Sequence, residues 1–578
     1  MALFLEETMV KKDVIRLLET IAVYMELNLE NSFKVSAYRK AAAALESDER
    51  TLKEIDNVSS IKGIGKGTSA VINEFIESGQ STVLKELEDK VPNGLVRMLK
   101  IPNLGPKRIA KIHEALGIDS LEALKKACQN NEISNMPGFG NKTEENILKS
   151  IDLVISRPER YPIDKILKFK TLITKTIDEM DQVVQYDMAG SSRRLKETSR
   201  DLDFIVKTND IEGFTHHILQ ADFVSDVVSR GDKKLSIEIE HDFDKINVDF
   251  RFVQGDEYIS TLQHFTGSKD HNVKMRQIAK ARGEKISEYG VETKDGLKTF
   301  ESEAAFYDYF GLPFIPPSMR ETGKETEIDI SEIISEDDIN GDLHMHTIAS
   351  DGANSIVEMV EKAREKNYSY IVITDHSKSL IVANGLSEAR LLAQVEEIKK
   401  INAQYDDIDV YSGIEMDILA DGRLDYDDEV LKQLDYVIAA IHSSFQQSED
   451  EIMKRLKNAM DNPYVRHIAH PTGRLIGQRT GYPVNMEALF DYAKKTGTVL
   501  EINANPKRLD LSSAVISNKD NLFTVNTDAH HTDHFDFMKY GVATLQKGFV
   551  HKSQVINTMN RQAFKDFINK GKQSDINE

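Results

Sequence analysis

Histidines and carboxylates recur near the C-terminal end of the chain where strand-like runs stop: His344-Met345-His346, Asp351, Asp375-His376, Glu415, His442, His470, Asp528 and His530. A His-x-His pair at a strand end puts both imidazoles on one face. Imidazoles and carboxylates in this number suit a cluster of borderline cations, Mn2+, Zn2+ or Fe2+. Such ions turn bound water into a nucleophile near neutral pH and bridge phosphoryl oxygens, so this set reads as a phosphoester hydrolase. A second constellation lies mid-chain. Asp201 and Asp203 are two apart on one strand-like run, and Asp249 lies on the polar face of another, 246–253. Three carboxylates on adjacent strands hold two hard cations, Mg2+ or Mn2+, for phosphoryl transfer. Gly190-Ser191 and Arg193-Arg194 add a turn, a hydroxyl and guanidinium groups suited to a triphosphate. Asp242 and Asp244 compete for the place of the third carboxylate, but both precede the strand. One set is fitted to making a phosphodiester, the other to cutting one.

Positioning these groups takes two kinds of scaffold. After residue 340, strand-like runs (370–374, 410–414, 437–441, 467–469, 499–502 and 523–526) alternate with helical ones such as 386–402. That alternation predicts a parallel βα barrel, whose active face is the C-terminal strand ends, so the ligands converge there. Alternating runs at 202–206, 235–239 and 246–253 predict a smaller sheet under the three aspartates. Residues 1–155 read as helix upon helix, with apolar periodicity over 9–29 and an alanine-rich stretch over 37–45. Prolines 313, 316 and 317 followed by an acidic run to Asp338 predict an interdomain linker.

An apolar-x-Gly-apolar-Gly turn recurs three times in the helical part: Gly63 with Gly65, Asn103 with Gly105, and Gly138 with Gly140. Each opens a helical run. Backbone N–H groups at such a turn grip a DNA phosphate without reading sequence. The asparagine departs from the pattern but tolerates left-handed backbone.

The chain is 578 residues long with a formal charge of −21 and one cysteine, Cys128. Acidic residues outnumber basic ones on both sides of residue 335, by 57 to 47 and by 38 to 27. A uniformly basic nucleic-acid-binding surface is therefore excluded, and DNA contact must rest on local patches, backbone amides and cations. A disulfide framework is excluded, no apolar run approaches a membrane span, and no signal peptide precedes the first helix, so a cytoplasmic protein is expected.

Gly190 to Val206, GSSRRLKETSRDLDFIV, resembles the nucleotidyltransferase signature of family X DNA polymerases, and His264-Phe265-Thr266-Gly267-Ser268 with Asn272 and Arg276 resembles that family's thumb. The resemblance implies Asp201, Asp203 and Asp249 as metal ligands and Gly190, Ser191 and Arg194 at the triphosphate. It also implies Phe265 and Gly267 at the sugar, Asn272 at the minor-groove edge of the incoming base, and Arg276 at the templating pair. His264 stands where the family has tyrosine. Ser36-Ala37-Tyr38-Arg39-Lys40 and the first hairpin resemble the family's small lyase domain. Val71 takes the register of its Schiff-base lysine, so a grip on DNA ends without lyase chemistry is expected.

Residues 338–575 resemble the PHP (polymerase and histidinol phosphatase) domain, a distorted βα barrel with three metals. All nine positions of its ligand pattern are matched: His344, His346, Asp351, His376, Glu415, His442, His470, Asp528 and His530. Arg474, after the His470-Pro471 turn, is a candidate phosphate contact. The expected order is therefore a helical end-binding domain (1–80), helical fingers (81–155), an α+β palm (156–256), a thumb (257–317), a linker (318–337) and the PHP barrel (338–575). Such a chain is expected to be a monomer that fills short DNA gaps with deoxynucleoside triphosphates and trims 3′ ends. A phosphatase of small phosphate esters with a nucleotide-binding front half is the rival reading, and a non-enzymatic end-binding scaffold is a weaker one.

Overall fold

The computed structural model describes residues 11–570 apart from 47, 49–54, 56, 79, 100, 102–103, 156–159 and 243. It divides into two compact units, 1–158 and 159–578. The first is helical throughout. The periodicity expected over 9–29 forms the helix Lys11–Leu27, which packs its Val14, Leu18 and Ile21 face on Tyr38, Ala41 and Leu45 of Ser32–Glu46. The helices Lys66–Ser78, Pro106–Leu116 and Asn141–Ile155 each start just after one of the three glycine turns. Gly63 and Gly138 have φ of +114° and +90°, which only glycine adopts without strain. Asn103, the departure in the middle turn, lies outside the described residues.

The second unit holds two sheets that matter to function. The smaller is built from β1 (Val183–Met188), β2 (Asp201–Thr208), β3 (Val224–Arg230), β4 (Lys234–His241) and β5 (Asp244–Val253), in the order β1-β2-β5-β4-β3. The pair β2–β5 is parallel and the others are antiparallel. Leu202, Phe204, Val206, Ile246, Val248 and Phe250 point into a core shared with the helix Ile163–Asp178. Side chains alternate along a strand, so Asp201, Asp203 and Asp249 must stand on the opposite face. The helices Tyr258–Thr266 and Lys269–Ala281 follow, then a small three-stranded sheet.

The larger sheet is all parallel, with strands in chain order: β6 (Gly341–Asp342), β7 (Tyr370–Ile373), β8 (Asp409–Asp417), β9 (Tyr436–Ala440), β10 (Val465–Ile468), β11 (Val499–Asn503) and β12 (Phe523–Asn526). A parallel bridge between Met345 and Ala529, with His346 N donating to Ala529 O at 2.7 Å, nearly closes the barrel. Its strands are almost continuously apolar because helices cover them outside and the core fills them inside.

The segment 318–337, expected as a linker, is exposed along part of its length but anchored by buried charged groups. Arg320 and Glu325 are fully buried. Arg320 is paired with Glu303 and donates to Ile315 O at 2.9 Å, while Glu325 lies 2.7 Å from His271 Nδ1. Buried charge survives only with such partners, so the segment is a strap packed on the helices and strands around it. The helix Ile163–Asp178 and the loop after Gly190 also meet the barrel directly. Ile163, Leu509 and Tyr540 share an apolar cluster, and Lys547 Nζ donates to Leu195 O at 2.6 Å.

Two candidate metal centres

In the palm, the parallel register sets Asp203 beside Asp249 and Asp201 beside Asn247. All three carboxylates therefore share one sheet face and one end. Burial, then the neighbouring Asp201 and Asp249 charges, push Asp203 up to about 7. Lys234 Nζ lies 2.7 Å from Asp249 and supplies cationic charge to the site. Such crowding of negative charge is what bound cations relieve. Asp244 is the first residue of β5 rather than preceding it, but it pairs with Lys165 at 2.5 Å, and Asp242 pairs with Lys168 at 3.3 Å. Gly190 has φ +63°, and a Cβ there would lie 2.3 Å from Asp203 Oδ2. Only glycine fits beside that carboxylate.

The residues expected at the triphosphate are partly committed to other side chains and carbonyls. Ser191 Oγ is 2.5 Å from Ser199 Oγ. Arg194 is buried, bonded to Glu321 at 2.9 Å and to Thr266 O at 2.8 Å. Arg193 grips Glu303 with both terminal nitrogens, at 3.0 and 2.6 Å, so its guanidinium is structural. Asn272 Nδ2 donates to His264 O and Gly267 O at 2.8 and 3.2 Å, which fixes the turn carrying Phe265. The Arg251 guanidinium sits 4.0 Å over the Phe265 ring. Arg276 is exposed.

In the barrel, the structure brings all nine expected ligands together. His346, Asp351, His376 and His530 form one group, His344, His346 and Asp528 a second, and His376, Glu415 and His442 a third. Glu415 sits at the centre, with His376 Nδ1 at 2.9 Å, His442 Nε2 at 3.2 Å and His470 Nε2 at 2.8 Å. His344 Nε2, both ring nitrogens of His346 and Asp351 Oδ1 are buried and lack a hydrogen-bond partner among the described residues. Buried polar atoms seldom go unpartnered, so lone pairs aimed at a common space fit cations. The imidazoles divide: burial, with the neighbouring histidines, pushes His346 down to about 4, while others are held up. Against the pull of burial, Glu415 and Asp417 hold His442 up to about 10, and Asp351 and Asp528 hold His530 up to about 9. His470 and Asp528 have φ of +28° and +51°, backbone strain of the kind that collects at functional sites.

Several supporting residues were not singled out from sequence. Glu501 Oε1 accepts from His344 Nδ1 at 2.8 Å and from Asn526 Nδ2 at 3.0 Å; Oε2 accepts from His470 N at 2.7 Å and Asn503 Nδ2 at 3.2 Å. Asp417 orients His442, with Oδ1 3.1 Å from Nδ1. A charged residue inside the buried run VLEIN was the available signal. Asp375, named from sequence beside His376, accepts from Thr347 and Gln394 and so braces the loop before Asp351. Arg474, expected at a phosphate, instead grips Glu197 at 2.7 and 3.2 Å and also donates to Leu509 O. Arg508, its Nε 3.6 Å from Asp528 Oδ2 and its side chain 20% exposed, is the cation that faces the cluster.

Comparison with known proteins agrees with this architecture. Helix-hairpin-helix families match residues 9–81 and, as a SAM-like tandem, 95–152; the DNA polymerase beta palm matches 160–247, its thumb 261–321, and the PHP domain 342–505. The DNA polymerase/3′-5′ exonuclease PolX of Bacillus subtilis is 49% identical over 565 residues, 96% of this chain and 99% of that protein. A probable phosphatase of Caldanaerobacter subterraneus subsp. tengcongensis is 34% identical over 167 residues, 28% of this chain and 61% of that protein. One from Thermoanaerobacter sp. is 32% identical over 167 residues, 28% of this chain and 63% of that protein. A match at 49% identity along nearly the whole of both chains settles the kinship: this chain belongs to the family X DNA polymerases that carry a C-terminal PHP domain.

Proposed function

We propose that the chain extends DNA 3′ ends from deoxynucleoside triphosphates at the palm and removes 3′-terminal nucleotides at the barrel, as a cytoplasmic, monomeric enzyme of short-gap repair. One observation carries this reading. Two carboxylate-rich, cation-ready clusters lie in a chain matched along 96% of its length by a polymerase with 3′-5′ exonuclease activity. Both kinds of enzyme are metal-dependent. Bound cations would neutralise the phosphoryl oxygens, polarise the attacking oxygen and stabilise the leaving one.

At the palm, Asp201, Asp203 and Asp249 would hold Mg2+ or Mn2+, with Asp249 as the general base or the ligand beside it near the primer 3′ hydroxyl. Gly190, Ser191 and Arg194 bind the triphosphate, with Arg194 kept in place by Glu321. Phe265 and Gly267 line the sugar, and Asn272 and Arg276 test the nascent pair. At the barrel, His344, His346, Asp351, His376, Glu415, His442, His470, Asp528 and His530 hold cations of the Mn2+, Zn2+ or Fe2+ class. Arg508 meets the phosphate. The turns at Gly63, Gly65, Gly105, Gly138 and Gly140 grip the DNA backbone. Lys34, Tyr38, Gly65 and Lys90 help line a cleft of about 480 Å³ suited to a strand end, while Val71, buried in the helical core, supplies no amine for lyase chemistry.

The test uses a labelled, gapped duplex with Mn2+, with and without nucleotides. An Asp201→Asn/Asp203→Asn variant is expected to lose extension and keep 3′ degradation; His344→Ala is expected to do the reverse. Normal degradation by His344→Ala would overturn the assignment of the barrel. Hydrolysis of small phosphate esters with no attack on DNA by the wild-type chain would establish the phosphatase reading instead.

A further inference from the structure

We infer that Ile381 and Val382 form an apolar wedge at the mouth of the barrel that parts the last base pair of a duplex, so that the 3′-terminal nucleotide reaches the metal cluster. The inference rests on the 3′-5′ exonuclease reading above. Ligand His376 closes strand β7, and the loop that follows it returns at once, with Leu386 N donating to His376 O at 2.8 Å. At its tip a single turn of 3-10 helix, Ile381–Ala383, ends on Asn384 in the left-handed region at φ 54°. Ala383 is buried, whereas Ile381 and Val382 are 84% and 90% exposed. Among the described residues they are the most exposed large apolar side chains of the barrel.

The turn is held by bonds to other parts of the rim. Asn384 Nδ2 reaches Ala349 O and Ser350 O at 3.3 and 3.4 Å, and Arg390 donates to Asn384 O at 3.1 Å and also to Ala349 O. Ser379 N donates to Asp425 at 2.7 Å. Residues 349 and 350 lead directly into ligand Asp351, and that loop presents a third exposed aliphatic, Ile348, at 48%. Thus both loops that carry the apolar tips begin or end at metal ligands.

What covers this pair follows from the reaction. A scissile 3′-terminal phosphodiester at the cluster puts the last bases at the C-terminal rim of the barrel, where loops following the strands stand. Nucleobases offer flat apolar faces there, and aliphatic side chains inserted between base steps unstack them in other DNA-bending proteins. A fixed turn wedges better than a floppy one, because its ordering cost is met before DNA arrives. The wedge distinguishes paired from unpaired ends: a frayed or single-stranded 3′ end needs no parting.

The experiment uses the full-length chain with Ile381→Ser and Val382→Ser together, both surface positions outside the metal cluster. Rates are measured on a matched recessed 3′ end, a mismatched 3′ end, single-stranded DNA and bis(p-nitrophenyl) phosphate. A matched end is expected to be cut about tenfold more slowly, since stacking on one base is worth on the order of that ratio. Single strands and the small ester should change less than about twofold, the scatter of ordinary surface substitutions. A 2-aminopurine at the 3′ end of the duplex should brighten with the wild-type chain in Ca2+ and stay quenched with the variant. Equal slowing on paired and single-stranded DNA, or an unchanged matched end, overturns the wedge. A wild-type chain that hydrolyses the ester but no DNA 3′ end overturns the exonuclease reading, a separate result.

Discussion

Glu501→Gln tests whether one buried carboxylate assembles the barrel's metal cluster. The oxygens of Glu501 face four donors: His344 Nδ1 and Asn526 Nδ2 on one side, His470 N and Asn503 Nδ2 on the other, at 2.7–3.2 Å. Glutamine has the same shape, but one of its two ends is a donor. Whichever way the amide turns, two of the four contacts become donor against donor. Hydrogen bonds to charged groups are worth about 1.5–3 kcal/mol each, so roughly 3–6 kcal/mol of local order is lost. The loss falls on one ligand or the other: with the amide nitrogen at the Oε1 place His344 loses its partner, and with it at the Oε2 place the backbone of His470 at φ +28° loses its anchor. Removing the partner of a ligating histidine typically lowers metal affinity about 10–100-fold. The measurement is 3′ degradation against Mn2+ concentration, with primer extension as the control for folding in the same chain. The half-saturating Mn2+ should rise by that factor while extension stays within about twofold, as for a site remote from the palm. Degradation with an unshifted Mn2+ dependence would refute the argument that Glu501 orders the ligands.

Two further outcomes concern the palm. Gly190→Ala places a methyl group 2.3 Å from Asp203 Oδ2 at a positive φ, so extension should fall by about 100-fold or more, as for other ångström-scale misplacements of catalytic groups, with 3′ degradation retained. Asp203, held near 7 against an ordinary 3.8, makes the metal-free fold pH-sensitive. A raised carboxylate costs nothing below the unfolded value, and its cost grows from about pH 4 to 7 and is complete above that, at most about 4 kcal/mol. In EDTA the melting temperature should therefore fall as pH rises from about 5 to 8, with His442 and His530, held up to about 10 and 9, adding to the fall above the ordinary imidazole value; Asp203→Asn should lessen the fall and leave the histidine part.

Several of the barrel's expected ligands were legible in sequence because they follow a strand whose apolar run is continuous, as in Tyr370–Ile373 before His376 and Tyr436–Ala440 before His442. The three palm aspartates were legible from alternation, since Leu202 and Val248 had to point the other way, together with Gly190-Ser191 and Arg193-Arg194 at their spacing. What could not be read depended on contacts distant in sequence. Glu501 and Asp417 are recognisable only once His344 and His442 are seen against them, 157 and 25 residues away. The acidic strap 318–337 looked like a linker because its partners, Glu303, His271 and Arg194, lie outside it in sequence. Charge density predicts solvation only when the opposite charges are not already built into the fold.

Arg474 shows the same limit and allows a decisive check. Its position, four residues beyond ligand His470, suggests a phosphate contact. In the fold its guanidinium is taken up by Glu197, just before Thr198 and Ser199, and Ser199 bonds the triphosphate-loop residue Ser191. The pair is partly exposed, 19% and 37% at the two side chains, so it is worth about 1 kcal/mol and no more. Beside it Lys547 donates to Leu195 O, so the barrel touches the Gly190–Ser199 loop at two points. Arg474→Met should then loosen the triphosphate loop: the KM for the incoming nucleotide in primer extension should rise about fivefold, while the barrel degrades 3′ ends at an unchanged rate. A phosphate contact at the barrel would give the opposite split, slower degradation with nucleotide KM unmoved. The two readings of one arginine thus fall on different active sites of the same chain, and a single variant assayed twice separates them.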